Sequence, residues 1–397
     1  VTHRNGEHRR TQPDAAVVAH ETERLERDAA RGVIAPDYVL TAAIASVEAA
    51  AQHAPLPARN ALLGQSRALQ ALTQRARPNS SAAHLPNGEE FYRAALQFQL
   101  GGAIDPRVAH DQATAQAAAF TAEAQALLRS VGVVRESAAE GMRALIRAHS
   151  LGAGDWRGAA LESMRAVLAR APALIAPAFA APAPPAQITA LPAAEEAGGT
   201  RGRREGDTYI VDLGGVRPRW TLPSVVFHET IPGHALQSTY EAHADAPAIV
   251  RRYAASYSEG WATYAEMLAD ELGGFAHDPL ARLGYLHWML FRMARVVGDT
   301  GMHALGWNRA RTIEEMRALQ GESVAFVSIE EGVTRIAAQP SVAAAQGLAA
   351  LNIAGLRERA GARANFTLPA FHDAMLRHGP VGADALTQSA SVALGAR

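Results

Sequence analysis

The chain has 397 residues, 48% hydrophobic and 19% charged, with a formal net charge of -1, a composition that suits a globular protein able to bury one large core or two modest ones. Near-neutrality leaves no global field to gather nucleic acid or an anionic membrane, so neither is expected as a partner. There is no cysteine and no lysine; thiolate metal sites, disulfides, Schiff bases and lysine bases are excluded, and any transition metal must rest on histidine and carboxylate.

The first ten residues are polar and carry no apolar segment, which is not the pattern of a signal peptide, and no apolar run approaches the ~18 residues of a membrane span. A cytoplasmic location is the expectation. Residues 1–171 read as a helical scaffold, with apolar residues at three- and four-residue spacing over Ser66–Ala76, Gln112–Val131 and Ser137–His149. Gly32, Pro78-Asn79, Pro86-Asn87-Gly88 and Gly101-Gly102 punctuate it.

Residues 172–206 carry Pro177, Pro182, Pro184 and Pro185, then Gly198-Gly199 and the charged run from Arg201 to Glu205, a density of helix breakers that predicts a long extended connection. The Arg201–Arg204 stretch is a candidate anion site. Thr208–Leu213, bounded by Gly214-Gly215, is the best strand candidate, and Asp212 at its end is a candidate for binding a substrate amine. Helical patterning returns from Thr221, so 207–397 reads as a helical half carrying the chemistry, packed with the first half as one unit. The expected fold is predominantly α-helical, with a small β element next to the active-site helix.

The strongest chemical signature is Phe227-His228-Glu229-Thr230-Ile231-Pro232-Gly233-His234. It resembles an HExxH element, in which two histidines hold zinc and the glutamate takes a proton from water. The spacing departs from that pattern. His228 and His234 are six apart, which puts them roughly 120° from each other on an unbroken helix at ~100° per residue. Pro232 and Gly233 break the helix between them, and a bend there would return His234 toward His228. Downstream, Glu259 and Glu266 in Ser258-Glu259-Gly260-Trp261-Ala262-Thr263-Tyr264-Ala265-Glu266 share a helix face. Glu259 is the candidate third ligand and Glu266 a candidate to orient a histidine. Tyr264 joins them as a residue to support a ligand or touch substrate; a solvated face for both glutamates is the bland alternative. Tyr92 and Tyr209 read as core residues, Arg292 and Arg295 as partners of nearby carboxylates, and Phe371–Leu376 as a helix packing on the site.

With these segments in view the sequence resembles the bacterial family named domain of unknown function 885 (DUF-885), zincin-like metallopeptidases. The matching elements are HE-x-x-PGH-x-x-Q from His228 to Gln237, EGWA-x-YAE from Glu259 to Glu266, Asp299–Trp307, and Phe371-His372-Asp373 through Gly379-Pro380. Weaker likeness lies in Arg31–Pro36 and Leu85–Tyr92. The resemblance implies zinc on His228, His234 and Glu259, Glu229 as general base, His303 stabilising an oxyanion with its tautomer fixed by Asp299, and Arg335 binding a substrate carboxylate. It departs from the family pattern at Ala235, Ile336, the Pro340-Ser341-Val342 stretch and Gln346. Three functions follow as expectations: a zinc-dependent hydrolase of peptide or amide bonds; a divergent enzyme of specialised-metabolite biosynthesis using the same groups for elimination or ring closure, with or without metal; and a non-catalytic scaffold. The expected partner is a small molecule or short peptide, with a protein partner or homodimer open.

Overall fold

The computed structural model describes residues 14–79, 81–148, 156–197, 202–213, 218–247, 250, 255–321 and 328–393. It is predominantly helical with one small sheet. In the first half the helices are α1 (Ala15–Ala30), α2 (Asp37–His53), α3 (Leu56–Thr73), α4 (Gly88–Leu100), α5 (Pro106–Ser130), α6 (Ala138–Ala148) and α7 (Trp156–Ile175). Their ends follow the sequence punctuation. Asp14 and Asp105 accept hydrogen bonds from the first-turn amides of α1 and α5, and Pro106 opens α5 where no amide donor is required. Gly32 just beyond α1 and Gly101 at the end of α4 take φ of 85° and 67°, values that a Cβ makes costly.

The proline-rich connection is less extended than its composition predicts. α7 runs through Pro172 to Ile175, and β1 (Gln187–Ala190), α8 (Ala193–Ala197) and β2 (Arg203–Glu205) follow. The expected strand forms as β3 (Thr208–Val211) and lies at the centre, parallel to β1 and antiparallel to β2. β1 and β2 are four and three residues long, too short to show alternation, and β2 is Arg-Arg-Glu. They exist because β3 supplies a partner, an ordering that no local pattern encodes.

The second half contains α9 (Leu222–Glu229), α10 (His234–His243), α11 (Ala255–Glu271), α12 (Pro279–His303), α13 (Arg309–Gln320), α14 (Ile329–Ala338), α15 (Val342–Gly361), α16 (Leu368–Leu376) and α17 (Ala383–Ala393). α12 is the axis. Capped by Asp278, it packs on α5, α9, α13, α14 and α15, and most of its length is buried. α11 lies close against α15 because both present small residues: a Cβ on Gly260 would sit 2.4 Å from the Cβ of Ala349. One apolar core runs from Leu96 and Phe120 in the first half to Phe371 and Leu386 in the second, so the two halves share their interior. α1 to α3 carry smaller clusters around Leu62 and Leu69 and touch the rest through α14. Among the described residues no helix is long and apolar enough to cross a membrane.

Candidate metal centre

α9 and α10 are one helix interrupted. The amide of Gly233 donates to the carbonyl of Phe227 at 3.0 Å, and that of Ala235 to Thr230 at 3.0 Å. Pro232 has no amide to give, and its own carbonyl accepts from the Trp261 indole at 3.0 Å. Position 233 has to be glycine: a Cβ there would stand 1.9 Å from the carbonyl oxygen of His228. This close backbone approach starts α10 at His234 and turns its ring toward His228, with ring centroids 4.9 Å apart.

Glu259, from the first turns of α11, completes the group. Its carboxylate oxygens lie 3.6 Å from Nε2 of His228 and 3.8 Å from Nε2 of His234, and one ligand atom from each residue falls within 4.8 Å of the others. Among the described residues this is the only trio of histidine and carboxylate side chains close enough to hold an ion.

Partners behind the rings leave the two Nε2 atoms facing the cluster. Nδ1 of His228 lies 2.8 Å from Oε1 of Glu266, whose other oxygen accepts from Ser224 and whose charge is paired by Arg292 at 2.6 Å. Arg292 Nη2 also lies 2.8 Å from Nδ1 of His228; both are donors onto the same Glu266 oxygen, since a ring with a carboxylate at Nδ1 keeps its proton there. Nδ1 of His234 lies 3.3 Å from both Oε1 of Gln237 and Oγ of Ser258, and Gln237 is anchored by donating to Glu241 at 2.5 Å. Each histidine therefore has its tautomer set by a neighbouring acceptor, which is how metal-ligating histidines are held.

The electrostatics match that role. Burial and the Arg292 cation lower the proton affinity of His228, but hydrogen bonds with Glu259 and Glu266 outweigh them and raise its pKa to about 9. Burial, then the neighbouring His228 charge, lowers His234 to about 3, so near neutrality the pair carries one proton beyond the two held at Nδ1. Glu259 is held down despite the desolvation that opposes it, by its hydrogen bond with His228 and the positive charge of that ring. A cation replacing that one proton would face two imidazole nitrogens and a carboxylate, a donor set that suits zinc. Glu229, the last residue of α9, has its pKa raised mainly by burial, with His228 opposing and Glu259 reinforcing.

The other expected site residues lie elsewhere or in other roles. His303 is closed off: its Nδ1 accepts from the amide of Ala82 at 3.1 Å and its Nε2 donates to the carbonyl of Ile336 at 3.0 Å. Those backbone groups fix its tautomer. Asp299 does not; its carboxylate accepts from Tyr92 Oη and the amides of Ser341 and Ala344 at 2.9 to 3.0 Å. The expectation of an oxyanion-stabilising His303 oriented by Asp299 is corrected on both counts, since the one turn between them brings the residues near without pointing one at the other. Tyr264, 1% exposed, contacts Nε2 of His372 through its hydroxyl at 2.8 Å and belongs to the core, as does His372, whose Nδ1 donates to the carbonyl of Ala178. Asp212 is buried just past β3. The Arg335 side chain is exposed on α14 and makes no hydrogen bond or ion pair among the described residues. Gln237 was named only as the end of the HE-x-x-PGH-x-x-Q element, with no role, and Ser224 was not singled out. Gln237 had a signal, standing one helical turn beyond His234; Ser224 had none.

A helical fold with a small mixed sheet and a partly buried His/His/Glu group defines an α-helical protein with a candidate metal centre. The sequence pattern described as "Bacterial protein of unknown function (DUF885)" matches residues 9–389, and the chain belongs to that family. Among solved structures it is similar to a "putative lipoprotein" from Colwellia psychrerythraea, with 24% identity and a TM-score of 0.83 over 96% of this chain and 74% of that one. It is also similar to a "putative lipoprotein of unknown function" from Shewanella oneidensis, with 17% identity and a TM-score of 0.71 over 94% of this chain and 77% of that one. These likenesses concern the fold. No curated protein matches the sequence.

Proposed function

We propose that this protein is a zinc-dependent hydrolase of peptide or amide bonds, with the ion held by His228, His234 and Glu259 and with Glu229 as general base. The observation that carries this reading is the convergence of three ligand atoms within 4.8 Å, each histidine backed by an acceptor at Nδ1. Zinc bound there supplies a Lewis acid for the scissile carbonyl and lowers the pKa of a water. Glu229 takes the proton of the attacking water and delivers it to the leaving nitrogen; its raised proton affinity suits a group that must accept and then release a proton near neutrality. Glu266 and Gln237 keep the imidazoles aimed, and Arg292 anchors Glu266 through an ion pair at 2.6 Å.

Metal analysis of the purified full chain tests the proposal, combined with hydrolysis of a peptide-amide library before and after chelation. Stoichiometric zinc with chelator-sensitive cleavage is the expected result. Less than stoichiometric metal after zinc loading, or cleavage indifferent to chelator, overturns it, the second outcome favouring metal-free acid–base chemistry at the same residues.

A further inference from the structure

Two arginines act on the metal centre, and only one of them has partners. Arg292 pairs with Glu266 at 2.6 Å and donates to Thr263 at 2.7 Å. Arg204 comes from β2, an edge strand of the sheet. Side chains alternate along a strand, so Arg203 and Glu205 share one face of β2, where Arg203 pairs with Glu205 at 2.6 Å and with Glu195 at 3.3 Å. Arg204 lies on the other face, beside its ladder partner Tyr209, which is buried in the core. Its guanidinium makes no hydrogen bond or ion pair among the described residues, and Nη1 is buried without a partner. The charges acting on it are three carboxylates, Glu229, Glu241 and Glu259. One of these is the third member of the ligand cluster, and none of them closes an ion pair with it. Glu229 and His234 feel Arg204 in turn.

A guanidinium partly withdrawn from water, with no anion in contact to cancel it, projects its charge with reduced screening. The carboxylates it acts on include those that a metal ion at the cluster would draw on. We infer that Arg204 is a built-in competitor of the metal ion for the carboxylates of this centre, and that it sets the metal affinity below what His228, His234 and Glu259 would give alone. It rests on the metal-binding part of the proposed function and not on the hydrolysis. The sign of the effect separates this role from a structural one. Removing an arginine that ties elements together strands its partners and damages the site. Arg204 has no partner among the described residues to strand, so its removal acts through charge and strengthens metal binding.

Zinc affinity of the full chain, measured in competition with a chelating dye, tests the inference without requiring turnover. Arg204→Gln is expected to bind zinc about 10-fold tighter, the order of one unit charge acting on a divalent ion at the effective dielectric of a protein. Arg204→Lys keeps the charge and should stay near the wild type, while Arg203→Gln, on the opposite face of the same strand, should leave the affinity unchanged. Unchanged or weaker zinc binding by a folded Arg204→Gln overturns the inference, as does a lysine variant that binds as tightly as the glutamine one. If the glutamine variant does not fold, Arg204→Met, which keeps the apolar stem, decides by the same sign. Zinc held by the wild type with an affinity that ignores Arg204 sinks the inference and leaves the metal centre standing. No zinc uptake by wild type or variant fells the metal centre, and the inference with it. Tighter zinc binding by Arg204→Gln in a chain that cleaves no amide upholds the inference and fells the hydrolase reading alone.

Discussion

His228 and His303 are both buried histidines near a buried carboxylate, both tied to α12, and only one leaves a ring nitrogen facing other potential ligands. At His303 each ring nitrogen ends on a backbone group, and Asp299 spends its oxygens on a tyrosine and two amides. At His228 one nitrogen is held by Glu266 and the other faces His234 and Glu259. A histidine with both nitrogens satisfied ties chain segments together. One with a single carboxylate partner is an aimed ligand with an open coordination point. Burial alone does not separate the two; the destination of each nitrogen does.

The sharpest way to break this comparison is Glu229→Gln. It should keep the metal and the fold yet lower hydrolysis about 100- to 10,000-fold, the usual worth of a general base, as read by initial rates beside metal content. Asp299→Ala should do the opposite. It strands the Tyr92 hydroxyl and two amides in the core, and a loss of about 3–5 kcal/mol is expected in denaturant unfolding, with zinc stoichiometry retained. Were that variant to lose zinc while remaining stable, the division between structural and ligating clusters would fail.

Glu266→Gln removes the charged acceptor behind His228 and should weaken zinc about 10- to 100-fold in competition with a chelating dye. Two buried histidines outside the cluster, His287 on α12 and His372 on α16, have their own signature. Burial lowers His287 and His372 to about 4, below the ordinary value of 6.5. The unfolded chain therefore takes up protons first as pH falls. Stability should be undiminished above about pH 6.5 and decline toward pH 4, by about 2 kcal/mol for each of these histidines at pH 5, measured as a midpoint shift. Smallest is Tyr264→Phe, which deletes the hydroxyl contact to His372 and should cost about 1 kcal/mol without touching metal affinity.

The sequence was most legible where chemistry and backbone constraint coincide. The histidine spacing of the His228–His234 segment made sense only with a break at Pro232-Gly233, and the chain breaks there, α9 ending at Glu229 and α10 beginning at His234. The seven-residue distance to Glu259 put Glu266 on the same helix face as a candidate to orient a histidine, and the structure pairs it with His228. Less legible were contacts set by remote elements. Arg204 reaches the centre from a strand that has no periodicity of its own. The amide of Ala82, 221 positions away, closes His303, and no spacing rule reaches that far. Motif likeness placed His303 in the right neighbourhood and with the wrong orientation, because a motif records identity and not the direction of a ring.

The contact of Gly233 against the carbonyl of His228 works as a splice. Two helical pieces are joined out of phase, and the ligand spacing is released from the 3.6-residue pitch that ties HExxH pairs to four positions. Of the residues inside the splice only Glu229 has a part in the proposed chemistry, and the geometry of the cluster is stored in a van der Waals limit between two main-chain atoms. Any side chain at position 233, however small, would reset the angle between the histidines before it altered a single ligand.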